Sequence, residues 1–332
     1  MKLQILIPHY KETADVIKPL LDSIAIQQNV DFKEVGVIIC HDGPESKDLD
    51  LDYPFLIEQI RQEHNGVSAA RNSCLDEAIA DYVMFCDCDD MFFNACGLWI
   101  IFREIENGGF DSLVSSFIEE SRVPQTGEVT YINHDMDSTF VHGKVHRRQY
   151  LLDKKIRWNP KLTIHEDSFF NIQCQNLSTN VKYCQSPFYL WKWRDDSVCR
   201  HDPKYILKTY KNMLDSNDAL VDEFLKRGVQ DKAMFYTAFM VYDAYYNMNK
   251  PEWINQENKE YRDSTEKRFA AYYKKHKGMW NAIPVNDKMI ISNQVRSRSV
   301  MEGMMMEAIT IDNWLKHIER LGRKNGNLKD YS

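Results

Sequence analysis

The sequence predicts an α/β protein with a mainly parallel sheet flanked by helices, followed by a helical C-terminal region. From residue 3 to about 120, short apolar runs alternate with segments whose apolar residues recur at helical spacing. That alternation is typical of a parallel sheet with helices on both faces. From residue 203 onward, almost every segment has helical spacing. A chain of 332 residues is long enough for two domains, and we expect them at residues 1–202 and 203–332.

Short apolar runs rich in branched and aromatic residues predict the strands, because each run stops at a turn-forming or polar cluster. The amphipathic segments between these runs predict helices. A more mixed pattern at residues 127–194 predicts antiparallel or irregular structure. The expected strands lie at residues 3–8, 34–43, 55–61, 81–87 and 111–120, and the expected helices lie at 14–28, 66–80 and 94–107.

The composition is that of an ordinary soluble globular protein, with 43% hydrophobic and 27% charged residues. The net charge of −7 gives no support for binding to a nucleic-acid backbone. No apolar run has the length needed to span a bilayer, and the apolar N-terminal stretch is too short for a signal peptide. We therefore expect a cytoplasmic protein whose eight cysteines are reduced.

Three carboxylates crowd together in the segment "VMFCDCDDMFFN" at residues 83–94. Asp87 and Asp89 would point to the same side of a strand, at the carboxyl end where parallel sheets bind their ligands. Such a pair suits Mg²⁺ or Mn²⁺, which completes its coordination with substrate phosphates and water. Alternatively, Asp90 caps the helix that follows. The segment alone does not decide between the two interpretations.

The segment "NGVSAARN" at residues 65–72 predicts the start of a helix near Gly66 and Ser68. The free N–H groups of such an end attract negative charge, and Arg71 adds a cation suited to a phosphate. The alternative is that Arg71 forms an ion pair, with Asp87 or Asp89 as its partner.

The segment "HEDSFFN" at residues 165–171 places an acidic pair at the start of an amphipathic helix. Asp167 or Glu166 could serve as a general base that takes a proton from an acceptor hydroxyl. The alternative is that these carboxylates only complement the helix dipole.

Taken in chain order, these segments resemble the inverting glycosyltransferases of family 2. The resemblance covers roughly residues 1–200, and the set of motifs is more specific than any single one. It implies a GT-A, Rossmann-like fold, a nucleotide-diphosphate sugar as donor and a divalent metal ion. The segments that carry it are "ILIPHYKE", "VIICHDG", "NGVSAARNSCLDEAIADYVMFCDCDD", "HGKVHRR", "HEDSFFN" and "WRDDSV".

The resemblance assigns roles to residues at matching positions. Asp87 and Asp89 match the family's D-x-D motif, with Asp89 the expected metal ligand and His201 a further metal or phosphate contact. Asp167 matches the catalytic base, with Glu166 beside it. The expected donor-binding residues are Pro8, Tyr10, Glu12 and Asp42 around the nucleotide, Arg71, Asp87 and Lys144 near the phosphates, and Arg194 and Ser197 in a loop that closes on the diphosphate.

Two positions depart from the family's pattern and leave the nucleotide open. His41-Asp42-Gly43-Pro44 stands where the family usually has D-D-G-S. His9 replaces the Thr or Ser that usually precedes Tyr10.

The sequence therefore predicts a metal-dependent inverting glycosyltransferase that uses Mn²⁺ or Mg²⁺ and an NDP-sugar, with a UDP-sugar favoured. The alternative is a noncatalytic carbohydrate- or nucleotide-binding protein that retains the fold. A nucleotidyltransferase is disfavoured, because residues 8–15 contain no glycine for a phosphate loop.

The expected partners are the nucleotide-sugar donor and a carbohydrate, glycolipid or protein acceptor. The C-terminal helices are expected to recognise the acceptor or to form a homo-oligomer. Basic residues near the end of the chain could instead provide a peripheral membrane contact, although short charge runs are usually solvated faces; these residues are Lys316, Arg320, Arg323 and Lys324.

Overall fold

A computed structural model describes residues 1–123, 125–195, 202, 204–301 and 310–325. Two of the residues with predicted roles, Ser197 and His201, lie outside the described residues. The chain divides into two compact units, Met1–Ser197 and Val198–Ser332.

The first unit alternates strands and helices along most of its length, and the predicted elements are present with shifts of a few residues at their ends. The two-residue strand β5 was not predicted, because it is too short to show a periodic pattern. The strands are β1 (Leu3–His9), β2 (Val35–Asp42), β3 (Leu56–Gln62), β4 (Tyr82–Phe85), β5 (Met91–Phe92), β6 (Ser112–Arg122), β7 (Val129–His134), β8 (Lys144–Arg147) and β9 (Val181–Trp191). The helices are α1 (Ala14–Ala25), α2 (Val67–Glu77), α3 (Gly97–Glu106), α4 (Arg148–Asp153) and α5 (Glu166–Asn176).

The strands form one mixed sheet in the order β3-β2-β1-β4-β8-β6-β9-β5, with β7 paired to β6. The first four of these strands, β3, β2, β1 and β4, are mutually parallel. Strand β8 then runs antiparallel to both β4 and β6, so the antiparallel region predicted from the mixed pattern is present. Strands β6 and β9 are parallel. The carboxyl ends of β1, β2 and β4 therefore meet at one edge of the sheet.

The central strands are buried on both faces, which explains why they have continuous apolar runs. On one face, Ile5 and Val37 pack with Leu20 of α1 in one core cluster. On the other face, Leu6 and Ile38 belong to a second cluster that includes residues of α2 and α5. The cysteines within the described residues are free thiols.

The second unit is helical in its described residues, as the sequence predicts. Its core is rich in aromatic rings, among them Trp253, Tyr272 and Trp314. Among the described helices, none combines the length and apolar character needed to cross a bilayer. The helices are α6 (Tyr205–Lys226), α7 (Gln230–Met248), α8 (Pro251–Ile254), α9 (Lys259–Ala282), α10 (Val285–Met301) and α11 (Ile311–Asn325).

Candidate active site

The polar clusters singled out in the sequence follow the carboxyl ends of adjacent parallel strands. In the register of the sheet, His9 at the end of β1 lies beside His41 of β2. On the other side of β1, Leu6 lies beside Phe85, the last residue of β4. Ligands of open α/β sheets bind beyond this edge. The candidate site is built here.

Asp42 holds together the loop that leads into α2. Its carboxylate oxygens accept hydrogen bonds from the backbone N–H groups of Asn65 and Gly66, both at 2.9 Å. The side chains of Gln62 and His64 approach the same carboxylate at 2.7 and 2.9 Å. Burial raises the pKa of Asp42, but these hydrogen bonds outweigh it and hold the pKa below its ordinary value. The carboxylate therefore organises this loop, whereas the sequence predicts a direct contact with the nucleotide base.

Glycines allow the backbone to turn at both ends of this arrangement. Gly43 has φ of 114° and Gly66 has φ of 85°, in the region that other residues rarely adopt. A Cβ on Gly43 would also lie 3.1 Å from the Cβ of His64.

The predicted nucleotide residues Pro8, Tyr10 and Glu12 lie at the end of β1 and in the turn that follows it, where Tyr10 forms an exposed pair of stacked rings. Tyr10 stacks on His64 with ring centroids 4.4 Å apart and planes 19° apart. Tyr10 is 37% exposed. Glu12 accepts a hydrogen bond from the Tyr10 N–H at 2.7 Å, so this carboxylate fixes the turn after β1. Pro8 is half-buried at the end of the strand.

The acidic cluster lies in the turn after β4, because that strand ends at Phe85. The side chains of Asp87 and Asp89 are 32% and 30% exposed. Arg194 donates a hydrogen bond to Asp89 at 3.0 Å. Burial and the neighbouring Asp87 raise the pKa of Asp89, although Arg194 opposes them. The structure thus brings the predicted Arg194 and Asp89 together.

Asp90 is buried and faces the protein interior. Its carboxylate accepts hydrogen bonds from the Tyr189 hydroxyl at 2.6 Å and the Lys192 N–H at 3.0 Å. Helix α3 begins only at Gly97, with Cys96 as its N-cap. The interpretation of Asp90 as a helix cap is therefore wrong. Burial, together with the neighbouring carboxylates, raises the pKa of Asp90 well above its ordinary value.

Asp87, Asp90 and His142 form a group that could hold a metal ion. One ligand atom from each of these residues lies within 4.8 Å of the other two. His142 is buried, and its ring stacks on Tyr189 at a centroid distance of 4.9 Å and on Trp191 at 5.0 Å. Two carboxylates suit Mg²⁺ or Mn²⁺. The group shares only Asp87 with the pair predicted from the D-x-D motif.

Arg71 joins the acidic cluster to the start of α5. Its side chain is buried and donates hydrogen bonds to Asp87 at 2.7 Å and to Glu166 at 3.1 Å. Burial lowers the pKa of Arg71, but the carboxylates of Asp87 and Glu166 more than compensate and raise it. The structure therefore supports the ion-pair interpretation of Arg71, because both carboxylates occupy the guanidinium.

Trp158 supports this guanidinium from one side. The centre of the Arg71 guanidinium lies 4.3 Å from the Trp158 ring centroid. Phe170 stacks on the same ring at 4.2 Å and 5°, and Phe85 meets it edge-on at 5.1 Å. The backbone of Trp158 is held by Asn72. The Asn72 amide donates to the Trp158 carbonyl at 2.9 Å and accepts from its N–H at 3.0 Å. The adjacent residues Arg71 and Asn72 thus contact the same tryptophan, Arg71 through its ring and Asn72 through its backbone.

Glu166 and Asp167 occupy the first turn of α5, as predicted. The preceding residue, His165, has φ of 61° in the left-handed region, so the chain turns sharply into the helix. Burial and the neighbouring Glu166 raise the pKa of Asp167 to about 7. The Ser168 N–H, Arg71 and Lys144 lower this pKa but do not outweigh the increase. A carboxylate with a pKa near neutrality is suited to general-base catalysis.

Lys144 is buried at the start of β8, and its predicted place near the donor stays a prediction. Its ammonium group donates to the His142 carbonyl at 3.3 Å. Burial lowers the pKa of Lys144 to about 8, although Asp137 and Asp167 favour the charged form. The charge of Lys144 in turn favours the ionised form of Asp167.

Two residues of the site, His142 and Trp158, were missed by sequence reasoning, because each is a single residue with no neighbouring ligand spacing. The sequence singles out Asp90 but does not predict its side-chain partners. Contacts of these residues join segments far apart in the chain, such as Asp90 with Tyr189. The only available signal was His142 within the quoted "HGKVHRR" segment.

The fold is similar to that of solved glycosyltransferases. The TarS protein of S. aureus, residues 1–349, superposes with a TM-score of 0.60 at 16% identity, covering 99% of this chain and 93% of that one. Its complex with UDP-GlcNAc gives a TM-score of 0.57 at 15% identity and covers 90% of this chain and 92% of that one. The predicted GT-A fold is confirmed.

Curated relatives are glycosyltransferases by name. Glycosyltransferase GlyA of Streptococcus pneumoniae serotype 4 is 24% identical over 226 residues, which cover 60% of this chain and 32% of that protein. The chain thus spans about a third of GlyA. Glycosyltransferase EpsJ of Bacillus subtilis is 21% identical over 260 residues, covering 71% of this chain and 70% of that protein. The family model for glycosyl transferase family 2 matches residues 4–169, half of the 332 residues. The chain therefore belongs to glycosyl transferase family 2.

Proposed function

We propose that the chain transfers a sugar from a nucleotide-diphosphate sugar, with a UDP-sugar favoured, to an acceptor hydroxyl with inversion at the anomeric carbon. The observation that carries this proposal is the link from Asp87 through Arg71 to the start of α5. A side chain suited to phosphate or metal binding and a candidate general base, Asp167, are thereby held in one network. A neighbour of similar fold was solved with UDP-GlcNAc, which supports the choice of donor.

Asp167 is the proposed general base. In the transfer step, its carboxylate takes the proton of the acceptor hydroxyl while the acceptor oxygen bonds to the anomeric carbon. The bond from that carbon to the diphosphate oxygen breaks, and the nucleoside diphosphate leaves with the bonding pair. The pKa of about 7 keeps a substantial fraction of Asp167 ionised at neutral pH and leaves it basic enough to accept a proton.

Mn²⁺ or Mg²⁺ fits the carboxylates of the acidic cluster. Asp87 is the ligand common to the sequence-predicted pair and to the group that includes Asp90 and His142. When bound, a divalent ion neutralises charge that develops on the leaving diphosphate. Arg194, which pairs with Asp89, is the nearby cation that we assign to the same phosphates.

The nucleotide is assigned to the edge formed by Pro8, Tyr10 and the loop that leads from β3 into α2. The Tyr10–His64 stack offers an aromatic surface to a base, and Asp42 keeps this loop in place. Ser68, in the first turn of α2, has a buried hydroxyl with no hydrogen-bond partner among the described residues. Together with the N–H groups of that helix end, it supports binding of an anion there.

The proposed division of labour places donor binding and catalysis in residues 1–202. Residues 203–332 would recognise the acceptor, which is a carbohydrate, a glycolipid or a protein, or would form a homo-oligomer.

The test measures release of nucleoside diphosphate by the purified chain from UDP-, GDP- and TDP-sugars, with and without Mn²⁺. We expect a UDP-sugar to be consumed in a Mn²⁺-dependent reaction, slowly by hydrolysis and faster when an acceptor is supplied. Asp87→Asn should abolish the stimulation of the reaction by Mn²⁺. The larger loss of this stimulation, in Asp89→Asn or in Asp90→Asn, identifies the second carboxylate that binds the metal ion. Asp153→Asn, an exposed residue of α4 bonded to Gln149, is the control. Failure to bind any of these donors would favour the noncatalytic alternative.

A further inference from the structure

Two histidines that depart from the family's pattern are in direct contact. His9, at the end of β1, and His41, beside it on β2, are both buried. Their Nδ1 atoms lie 2.9 Å apart, and their ring planes are at 86°. This N···N distance is that of a hydrogen bond, which requires one proton between the two nitrogens.

The outer nitrogen of His9 must carry a proton. Its Nε2 lies 2.8 Å from the backbone carbonyl oxygen of Glu12, and a carbonyl can only accept. A neutral imidazole has a single N–H group. If His9 is neutral, its Nδ1 is therefore an acceptor facing His41.

The outer nitrogen of His41 must also carry a proton. Its Nε2 lies 2.9 Å from Oε1 of Gln59. The backbone of Leu49 fixes the orientation of the Gln59 amide. The Leu49 N–H donates to Gln59 Oε1 at 2.8 Å, and the Leu49 carbonyl accepts from Gln59 Nε2 at 2.9 Å. A flipped amide would set two donors against each other at the Leu49 N–H and two acceptors against each other at the Leu49 carbonyl. Oε1 is therefore the atom that faces His41, and it only accepts.

The four ring nitrogens accordingly need three protons, whereas two neutral imidazoles supply only two. We propose that His9 and His41 share one additional proton, and that this positively charged pair positions the turn after β1 for donor binding. The link to donor binding rests on the proposed function, whereas the shared proton does not. The turn in question carries Tyr10, Lys11 and Glu12, and His9 holds it through the Glu12 carbonyl.

Loss of the shared proton would set two lone pairs against each other at 2.9 Å. The rings would then separate, and either the Glu12 carbonyl or the Gln59 amide would lose its donor. Because the paired arrangement contains one additional proton, it is favoured at low pH and is lost as pH rises through the titration of the pair. Because a hydrogen bond to a charged group contributes about 1.5–3 kcal/mol, donor affinity should fall about ten- to a hundredfold over that step.

The charged groups around the pair are few. Asp48 Oδ1 lies 3.8 Å from Nε2 of His41, and Arg61 of β3 binds Asp48 at 2.7 Å. At the rim, Lys11 pairs with Glu45. The Asp42 carboxylate, next to His41 in the chain, accepts hydrogen bonds from the loop before α2. The Glu12 carboxylate accepts a hydrogen bond from the Tyr10 N–H.

These surroundings act on the pKa of His41. Burial is the largest effect and lowers this pKa, His9 and Arg61 lower it further, and the Gln59 bond and Asp48 raise it. The pKa of His41 is lowered on balance, so its surroundings favour loss of the additional proton as pH rises.

The direct test is nitrogen-detected NMR of the full chain labelled with ¹⁵N-histidine, titrated from about pH 5 to about pH 8.5 around the ordinary histidine pKa. His9→Asn and His41→Asn spectra assign the two rings. We expect both rings to keep Nε2–H and to take up one proton together, with both Nδ1 signals moving in the same step. A neutral Nδ1–H form of either ring, or two independent titrations, would overturn the shared proton. A change of these signals on adding a chelator would overturn it as well, because a metal ion would then join the rings.

The second test separates the positioning role from the proton itself. The KM for the donor should rise with pH through the titration of the pair, without a parallel fall in kcat. His9→Asn should remove this dependence, since the Asn amide can donate to His41 without an added proton. The control His134→Asn, a residue that pairs with Glu119 elsewhere in the same unit, should retain it. A pH-dependent KM that persists in His9→Asn would overturn the positioning role. If no nucleotide sugar binds at any pH, the proposed function fails, and the NMR titration still decides whether the proton is shared.

Discussion

The guanidinium of Arg71 lies over the ring of Trp158, 4.3 Å from its centroid. One of its terminal nitrogens donates to Asp87 at 2.7 Å and the other to Glu166 at 3.1 Å. A guanidinium bridges two carboxylates with donors in a fixed planar fork, whereas an ammonium group is a compact point charge without that fixed geometry. The arrangement couples the acidic cluster to the helix that carries Asp167.

Arg71→Lys should therefore lower kcat about a hundredfold, because misplacement of catalytic groups by about 1 Å has an effect of that size. Trp158→Phe keeps an aromatic face and should have a smaller effect than Trp158→Leu. The measurement is the donor-dependent transfer rate with folding checked by circular dichroism. Arg147→Lys is the matched control, because Arg147 pairs with Asp111 in the same unit. Equal losses in Arg71→Lys and Arg147→Lys would contradict a specific role for the bridge.

The raised pKa of Asp167 predicts the pH dependence of the rate. A base must be ionised, so kcat should rise with pH through about 7 and level off above it. Asp167→Asn should lower kcat by a factor of about 10² to 10⁴ above about pH 7, as expected for loss of a general base, and by less at lower pH, where Asp167 is protonated. Donor binding should be retained, and calorimetric titration with the donor checks it. A variant with full transfer rates would exclude Asp167 as the base.

The raised pKa of Asp167 predicts that stability falls with pH, whereas kcat rises with pH. The folded-state pKa of about 7 lies above the unfolded value near 4, so ionisation of Asp167 opposes folding. Its contribution to the free energy of unfolding is present below about pH 4 and is lost as pH rises through about 7. Asp167→Asn should therefore unfold at a temperature equal to or above that of the original chain at pH 8. Thermal unfolding at pH 5 and pH 8 measures the difference.

The sequence was sufficient for the parts of the fold that depend on local pattern. Strands such as β1 and β2 are apolar on both faces, and helix α5 begins with the acidic pair as expected. The edge of the candidate site followed from the rule that parallel sheets bind their ligands beyond the carboxyl ends of the strands. Local pattern also placed Arg71 next to a carboxylate, although it could not show that Glu166 is the second partner.

The sequence could not give contacts that depend on how distant segments pair. The proximity of His142 to Asp90 arises because β8 runs antiparallel beside β4, and nothing near His142 in the chain indicates that pairing. The hydrogen bonds that occupy Asp42 come from residues 20 to 24 positions away. A motif identifies a residue type at a strand end, but its hydrogen-bond partners decide whether that residue is available to a ligand.

Asp42 should accordingly be important for stability as well as for donor binding. Asp42→Asn replaces one acceptor oxygen by a donor that faces N–H groups, and we expect a loss of about 1–3 kcal/mol in the free energy of unfolding. Because the pKa of Asp42 is lowered in the fold, its contribution is present above about pH 4 and is lost as pH falls below that value. Urea unfolding at pH 7 and pH 4 measures both effects. Asp76→Asn, an exposed ion-pair residue of α2, should change little.

The helical unit contains a comparable hub at Asp218. Its carboxylate accepts from Arg268 at 2.8 Å, from Lys275 at 2.7 Å and from His276 at 2.7 Å, and thereby joins α6 to α9. Burial raises the pKa of Asp218, but these bonds outweigh it and lower the pKa far below its ordinary value. We expect Asp218→Asn to reduce the free energy of unfolding by about 2–3 kcal/mol at pH 7.

The pH dependence of this effect follows from the direction of the pKa. A lowered folded-state pKa gives stability that is present above the unfolded pKa near 4 and is lost as pH falls below it. The difference between the original chain and Asp218→Asn should thus shrink at acid pH. Asp222 provides the matched control, because it lies one helical turn away, is 51% exposed and bonds only Lys275 among the described residues. Equal destabilisation by Asp222→Asn would show that general surface charge, rather than the half-buried hub at Asp218, holds these two helices together.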